Sequence, residues 1–331
     1  MFLCFFSFIL SMALSLYFTP LIRKAAIRLQ ILDKPDGNLK LQKESVPYLG
    51  GLAVSLSFLI CLSLTFEFNK EVLGILLAGS VIIILGLIDD FGVLTPKIKL
   101  LGQAVSALVL IKSGIYIKLV FLQPAIAIPL SFLWLIAIIN AFNLIDIMDG
   151  LSTGVAFIAA LFLFIVAVIN ERFLIAVLTS ALAGSLLGFL KYNFKPAKIY
   201  LGDTGSMFIG LVLGALAMIG SYTTHNNLAC IAPVIILGVP IFDTLLVIYI
   251  RLKRRMSILK GSPDHFALRL RKWKLSVPQT VILSYAISVF LGINAIVIMF
   301  VNDKIAFNIV GILIILALIS GYFLKKVDMG L

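Results

Sequence analysis

The sequence predicts an all-α, polytopic integral membrane protein of about 10–11 transmembrane helices, built as a single membrane domain over residues 1–331. Three observations predict it. The chain is 62% hydrophobic and only 13% charged, with a mean hydropathy of +1.16, whereas soluble domains are roughly half apolar and a quarter charged. Nearly its whole length falls into apolar runs long enough to cross a bilayer, which takes about 20 residues. Finally, 22 of the 27 Lys and Arg residues fall in alternate loops, as expected of a chain that threads back and forth with its basic loops inside.

The first run, 1–22, has nothing basic before it and Arg23, Lys24 and Arg28 behind it. It reads as a first transmembrane helix with the N-terminus outside, not as a cleaved leader. Further runs follow at 49–66, 72–88, 99–113, 124–139, 152–169, 173–190, 206–222, 228–250, 279–300 and 305–324. The runs 99–113 and 124–139 are short; if both were re-entrant, the sidedness of the other loops would survive. The basic side holds loops 23–43, 97–99, 191–198 and 251–274 and the pair 325–326, while Lys70, Lys112, Lys118, Arg172 and Lys304 lie opposite. Connections on the opposite side are short turns. Those on the basic side are longer, above all 251–275, and carry nearly every unusual polar residue, so function is expected at the cytoplasmic face. The net charge of +12 follows from the same rule. Nucleic acid is not expected as a partner, because the basic residues are spread over several loops and the aromatics sit mainly in apolar runs. Cys4, Cys61 and Cys230 lie in separate runs, without the spacing of a disulfide framework or a zinc site.

Ionisable groups at a membrane edge are costly and mark sites, and five segments carry them. Asp89 and Asp90 end the third run. Adjacent carboxylates repel unless a cation or a shared proton relieves them, and both oppose the dipole at a helix C-terminus. Asn140, Asn143, Asp146 and Asp149 recur every third residue between the fifth and sixth runs. On a helix, successive members drift by about 60°, so Asn143, Asp146 and Asp149 share a face of hard oxygen ligands suited to Mg²⁺. Asp203, in Gly202-Asp203-Thr204-Gly205-Ser206, opens the eighth helix as a plain N-cap or as part of a phosphate site. Asp243 lies about two turns inside the ninth run, as a buried structural carboxylate or a site residue. His265 and Arg269, in the basic loop, belong to a cluster suited to an anionic nucleotide; for most other cations there, topology and an interfacial helix suffice.

Taken in order, the Asp89-Asp90 pair, Asn140-Ala-Phe-Asn143-Leu-Ile-Asp146-Ile-Met-Asp149-Gly150-Leu151, Gly202–Ser206, Gly238–Thr244 and the His265 loop resemble the polyprenyl-phosphate N-acetylhexosamine-1-phosphate transferases. The likeness runs from about residue 20 to residue 285. The early stretch Asp33-Lys-Pro35 … Pro47-Tyr-Leu-Gly50-Gly51 is also similar, with Lys40 at the place of a phosphate-contacting lysine. Three departures stand out. Ile147 replaces a glycine, Ala267 and Leu268 replace loop histidines after His265, and Leu39-Lys40 with Gln42 replaces an Arg-Lys pair followed by His. They bear on donor choice more than on reaction type. The resemblance implies Mg²⁺-dependent transfer (Mn²⁺ as substitute) of a sugar 1-phosphate from a UDP-N-acetylhexosamine to polyprenyl phosphate at the bacterial plasma membrane, with a homodimer left open. It implies catalytic roles for Asp89, Asp90, Asp146 and Asp149, substrate contacts from Lys40, Asn140, Asn143, His265 and Arg269, and metal ligation by Asp203 and Asn143. The rival readings are an ion-coupled transporter, a CDP-alcohol phosphotransferase, whose DGxxAR core is missing because Leu-Ser-Thr-Gly follows Asp149-Gly150, and a noncatalytic scaffold.

Overall fold

The computed structural model describes residues 1–33, 45–66, 69–119, 121–220, 222–223, 226–257 and 263–329. In order, the helices are α1 (Phe2–Arg28), α2 (Gly50–Thr65), α3 (Lys70–Asp90), α4 (Pro96–Lys112), α5 (Pro124–Ile145), α6 (Leu151–Ile169), α7 (Phe173–Asn193) and α8 (Gly202–Ile219). A 3₁₀ turn (Asn227–Ile231) then leads into α9 (Ala232–Ile236), α10 (Gly238–Lys253), the short α11 (Phe266–Lys272), α12 (Val277–Phe300) and α13 (Asp303–Lys325). Strands β1 (Leu32–Asp33) and β2 (Val46–Pro47) pair antiparallel.

Among the described residues, α1, α3, α5, α6, α7, α8, α12 and α13 are each long and apolar enough to cross a membrane, and the chain is an all-α multi-pass membrane protein. The apolar runs expected from the sequence all appear as helical segments, with one correction. The run 228–250 is not one straight helix: Asn227–Ile236 and Gly238–Lys253 meet at 76°. The two meet at Leu237, and Pro240 lacks the N–H that would donate to Ile236 O, so the helical ladder is interrupted there.

Helices α7 and α8 form the centre. Helices α1, α2 and α6 pack on α7, and α2, α3, α5 and α6 pack on α8. With no hydrophobic gain on offer between helices in lipid, close approach depends on small residues. The buried stripe Ser7, Ser11, Ser15 and Thr19 of α1 supplies them where that helix meets α7. At the periphery, α13 buries only Ala306 and Leu324.

The C-terminal ends of α1, α3, α5 and α7 meet the N-terminal ends of α2, α4, α6 and α8 at one end of the bundle. Backbone bonds tie that end together: Tyr200 N to Pro47 O at 2.9 Å, Gly50 N to Tyr200 O at 2.9 Å, and Gly51 N to Leu201 O at 2.8 Å. The Arg23 Nε–H donates to Lys198 O at 2.9 Å. This is the end that carries the basic loops.

Candidate active site

A cavity of about 480 Å³ opens at this end, and its polar lining includes Asp33, Asp89, Asn143, Asp146, Asp149 and Asp203. The Asp89, Asn143–Asp149 and Asp203 segments, far apart in sequence, therefore converge on one volume. They gather at the helix ends, whereas a transporter pathway calls for carboxylates in the middle of the bundle.

The structure divides the adjacent aspartates into two jobs. Asp90 caps α8 from outside: its Oδ1 accepts from Asp203 N at 2.7 Å, and its Oδ2 accepts from Thr204 N at 3.2 Å and Thr204 Oγ1 at 2.6 Å. The positive end of α8 thus compensates a carboxylate that the α3 dipole disfavours. Gly202 makes the approach possible, with φ of +74° and no Cβ, which would stand 2.7 Å from Asp90 Oδ1. Asp203 is therefore not the N-cap of its helix; it lies in the first turn with its side chain at the cavity.

Asp89 instead meets a cation. Lys99 Nζ lies 2.6 Å from Asp89 Oδ2, 3.4 Å from Asp203 Oδ1 and 2.9 Å from Asn143 Oδ1. The Asn143 Nδ2–H₂ group donates to Asp203 Oδ1 and, at 3.0 Å, to Ser206 Oγ. Asp89, Lys99, Asn143 and Asp203, from α3, α4, α5 and α8, form one charged network. Sequence reasoning counted Lys99 only as a topological charge. The available signal was the five-residue link between α3 and α4: antiparallel neighbours joined so tightly bring the first turn of α4 level with the end of α3.

The expected helical face carrying Asn143, Asp146 and Asp149 needs correction. Helix α5 ends at Ile145, Asp146 is its C-cap residue, and Asp149 lies in the turn before α6. Burial, followed by the nearby Asp203, Asp90 and Asp149 charges, pushes the Asp146 carboxyl well above the usual range, with the Gly202 N–H partly offsetting them. Asp149 Oδ2 accepts from Ala197 N and pairs with Lys195 Nζ, each at 3.1 Å. Ile147, where a glycine was expected, lines the cavity without a positive φ.

Three of the expected substrate-binding residues are turned elsewhere. Asn140 faces Gln103, accepting from its Nε2 at 3.3 Å and donating to its Oε1 at 2.7 Å, and does not line the cavity. His265 is buried, with Nδ1 2.7 Å from Asp243 Oδ2, while Asp243 Oδ1 accepts from Phe266 N at 2.7 Å. The structural alternative for Asp243 is the one observed: it anchors the start of α11. Arg269 is fully buried, with Nε–H on Asp264 O at 2.9 Å, Nη2 on Asp264 Oδ1 at 2.5 Å, and Nη1 on Leu324 O and Val327 O at 3.1 and 2.9 Å. Its guanidinium fork is spent on fixing α11 to the end of α13 and cannot hold a phosphate. Lys40 lies outside the described residues.

Sequence reasoning also passed over the aromatic wall of the cavity. Tyr48 and Tyr200 both line it, their ring centroids 6.0 Å apart. Burial, then the nearby Asp149, Asp33 and Asp146 charges, pushes the Tyr200 phenol up to about 12. Burial and the hydrogen bond to Asp33 raise Tyr48 further, so both remain neutral donors at ordinary pH. Asn193 braces the floor, accepting from Gly150 N at 3.2 Å and Thr153 Oγ1 at 2.8 Å and donating to Ile199 O at 3.1 Å. Among the described residues no three His, Cys, Asp or Glu side chains converge as a ready-made metal cage.

Comparison with known proteins agrees with this geometry. Residues 72–221, which span the Asp89, Asn143 and Asp203 segments, match the model of "Glycosyl transferase family 4". A probable undecaprenyl-phosphate N-acetylglucosaminyl 1-phosphate transferase of Bacillus subtilis is 34% identical over 93% of this chain and 88% of its own length. A decaprenyl-phosphate N-acetylglucosaminephosphotransferase of Mycobacterium leprae is 32% identical, covering 83% and 79%. A phospho-N-acetylmuramoyl-pentapeptide-transferase of Halalkalibacterium halodurans is 34% identical, covering 81% and 88%. Alike along nearly its whole length to membrane phosphotransferases, and with the acidic segments of that group drawn around one cavity, this chain belongs to glycosyl transferase family 4 and is an enzyme of the glycosyl-1-phosphate transferase kind.

Proposed function

We propose that this protein transfers an N-acetylhexosamine 1-phosphate, GlcNAc 1-phosphate in the first instance, from a UDP-sugar to polyprenyl phosphate, an opening step of cell-envelope glycan synthesis. An oxygen of the acceptor phosphate bonds to the sugar-bearing phosphorus. The bond from that phosphorus to the bridging oxygen breaks, and UMP leaves with that oxygen. The observation that carries this reading is the Asp89–Lys99–Asn143–Asp203 network at the cavity. Phosphoryl transfer between two anions asks chiefly for positioning and charge relief, and this network offers both signs of charge within one site.

Asp89 orients the acceptor phosphate and takes its proton where one is present. Lys99 balances negative charge as donor and acceptor phosphates approach. Asp146 and Asp149 position the nucleotide end, and the neutral phenols of Tyr48 and Tyr200 face the same volume. The oxygen donors fit Mg²⁺, with Mn²⁺ as substitute, held by Asp203 and Asn143. An open set of hard oxygens without a closed cage suits an ion that keeps waters and shares substrate phosphates. When bound, such an ion would neutralise the donor diphosphate. Lys40 stays a proposed phosphate contact. The charge asymmetry of the loops supports a site open to the cytoplasm, with the N-terminus outside.

The test is a membrane assay with Mg²⁺, polyprenyl phosphate and a panel of labelled UDP-sugars. Lipid-linked product and UMP are expected with UDP-GlcNAc. No product from any sugar, together with no exchange of UMP, would sink the reading.

A further inference from the structure

The corner Asp149-Gly150 closes one side of the cavity, and it is held from outside the motifs by a residue of α12. Tyr285 Oη donates to Gly150 O at 2.5 Å. Its ring sits where Gly154 has no side chain: a Cβ there would stand 2.0 Å from both Tyr285 Cζ and Oη. The contact therefore rests on two features, a hydroxyl aimed at one carbonyl and a seat kept open one helical turn further on. Gly150 needs such fixing. Its φ is +80° at the start of α6, and glycine has free conformational space around that value that other residues lack. Asn193 Oδ1 holds the Gly150 N–H at 3.2 Å, and Gly154 N donates to Gly150 O at 3.0 Å as the first bond of α6. Beside Asn193 from α7, Tyr285 adds a bond from the C-terminal third of the chain.

We propose that Tyr285 is a positioning residue of the active site, fixing the Gly150 peptide and through it the direction of the Asp149 carboxylate. This rests on the functional reading above, in which Asp149 acts on the nucleotide end of the donor. The geometry makes α12, which follows the basic loop directly, a strut between the C-terminal third of the chain and the cavity. Asp149 is already tied to Ala197 N and Lys195 Nζ. Loss of the Tyr285 bond leaves that arm attached but lets its pivot turn. Small misplacements of this kind, remote from the reacting atoms, cost catalysis more than binding.

The experiment compares wild type, Tyr285→Phe, Gly154→Ala and the double variant, measuring kcat, KM for UDP-GlcNAc and Tm on purified full-length protein in nanodiscs. Tyr285→Phe keeps the ring and loses only the hydroxyl; kcat is expected to fall roughly tenfold with KM and Tm little changed. Gly154→Ala should lower kcat at least as far by pushing the ring off its seat. The double variant should be no worse than Gly154→Ala alone, because both changes remove one contact. Wild-type kcat in Tyr285→Phe, a fall in Tm alone, or additive losses in the double variant would each overturn the proposal. Asp149→Asn separates the two layers. If Asp149→Asn keeps the wild-type rate, the role given to Asp149 fails and this inference fails with it; if Asp149→Asn loses activity while Tyr285→Phe does not, only the inference fails.

Discussion

A single ammonium, that of Lys99, stands between the carboxylates of Asp89 and Asp203. Replacing it with methionine would leave two carboxylates facing one another without a counter-charge, which disfavours the ionised state of both. Lys99→Met is expected to lower the rate of UMP release by at least about 100-fold, the scale of losing one preorganised charge-stabilising donor, while the protein still inserts and purifies as wild type. An unchanged rate would remove Lys99 from the site. Arg269 shows the opposite case. Arg269→Met leaves the buried Asp264 carboxylate without its close partner and strips the Leu324 and Val327 carbonyls of their donor, a loss of about 3–5 kcal/mol. A lower Tm is expected, with KM for the UDP-sugar unchanged in the folded fraction; a raised KM at unchanged Tm would restore the phosphate-binding role. In the sequence Lys99 read as a topological charge and Arg269 as a substrate contact, the reverse of what the structure shows. Their partners come from other elements, so one-dimensional spacing could not tell a lysine at the cavity from a structural arginine.

At the scale of elements, the first turn of α8 depends on the last turn of α3. Asp90 satisfies the N–H groups of Asp203 and Thr204, so it fixes the same turn that presents Asp203 to the cavity. Asp90→Ala is expected to cost about 1–2 kcal/mol, as the loss of a helix cap does, and to lower kcat as well, because Asp203 loses its support. Asp90→Asn keeps an acceptor oxygen and should retain more of both Tm and kcat. An alanine variant equal to wild type in both would dismiss the cap. Most helices were legible from hydropathy, since runs of spanning length have few other ways to satisfy their backbone in lipid. The end of α5 was not. Asn143, Asp146 and Asp149 keep a helical spacing, yet the helix stops at Ile145 and Gly150 takes a left-handed φ, so two of the three reach the cavity from a turn. The break at Leu237 was missed for a similar reason: hydropathy continues across it while the backbone ladder does not.

For the molecule as a whole, the site lies at the end of the bundle that carries the basic loops. Two outcomes are expected from this. Chelation by EDTA should abolish transfer, with recovery on adding Mg²⁺ or Mn²⁺; full activity in the chelator would remove the metal from the mechanism. In intact cells, a membrane-impermeant maleimide should label Arg172→Cys and spare Lys272→Cys, both positions being exposed; the reverse pattern would turn the site outward. The sequence by itself determined the all-α membrane class, the helical segments, the sidedness expected of the loops, and the acidic segments that meet, with Asn143 and Asp203 among them. It could do so because hydropathy and charge are sums along the chain, and the bilayer reads them as such. Only the tertiary structure decided which polar groups serve the cavity and which serve the scaffold. Asp90 and Thr204 are 114 residues apart, Lys99 sits between helices that meet only in the folded bundle, and His265 and Arg269 are claimed by Asp243 and Asp264. A charged side chain takes its role from the partner that desolvates with it, and that partner is chosen by packing.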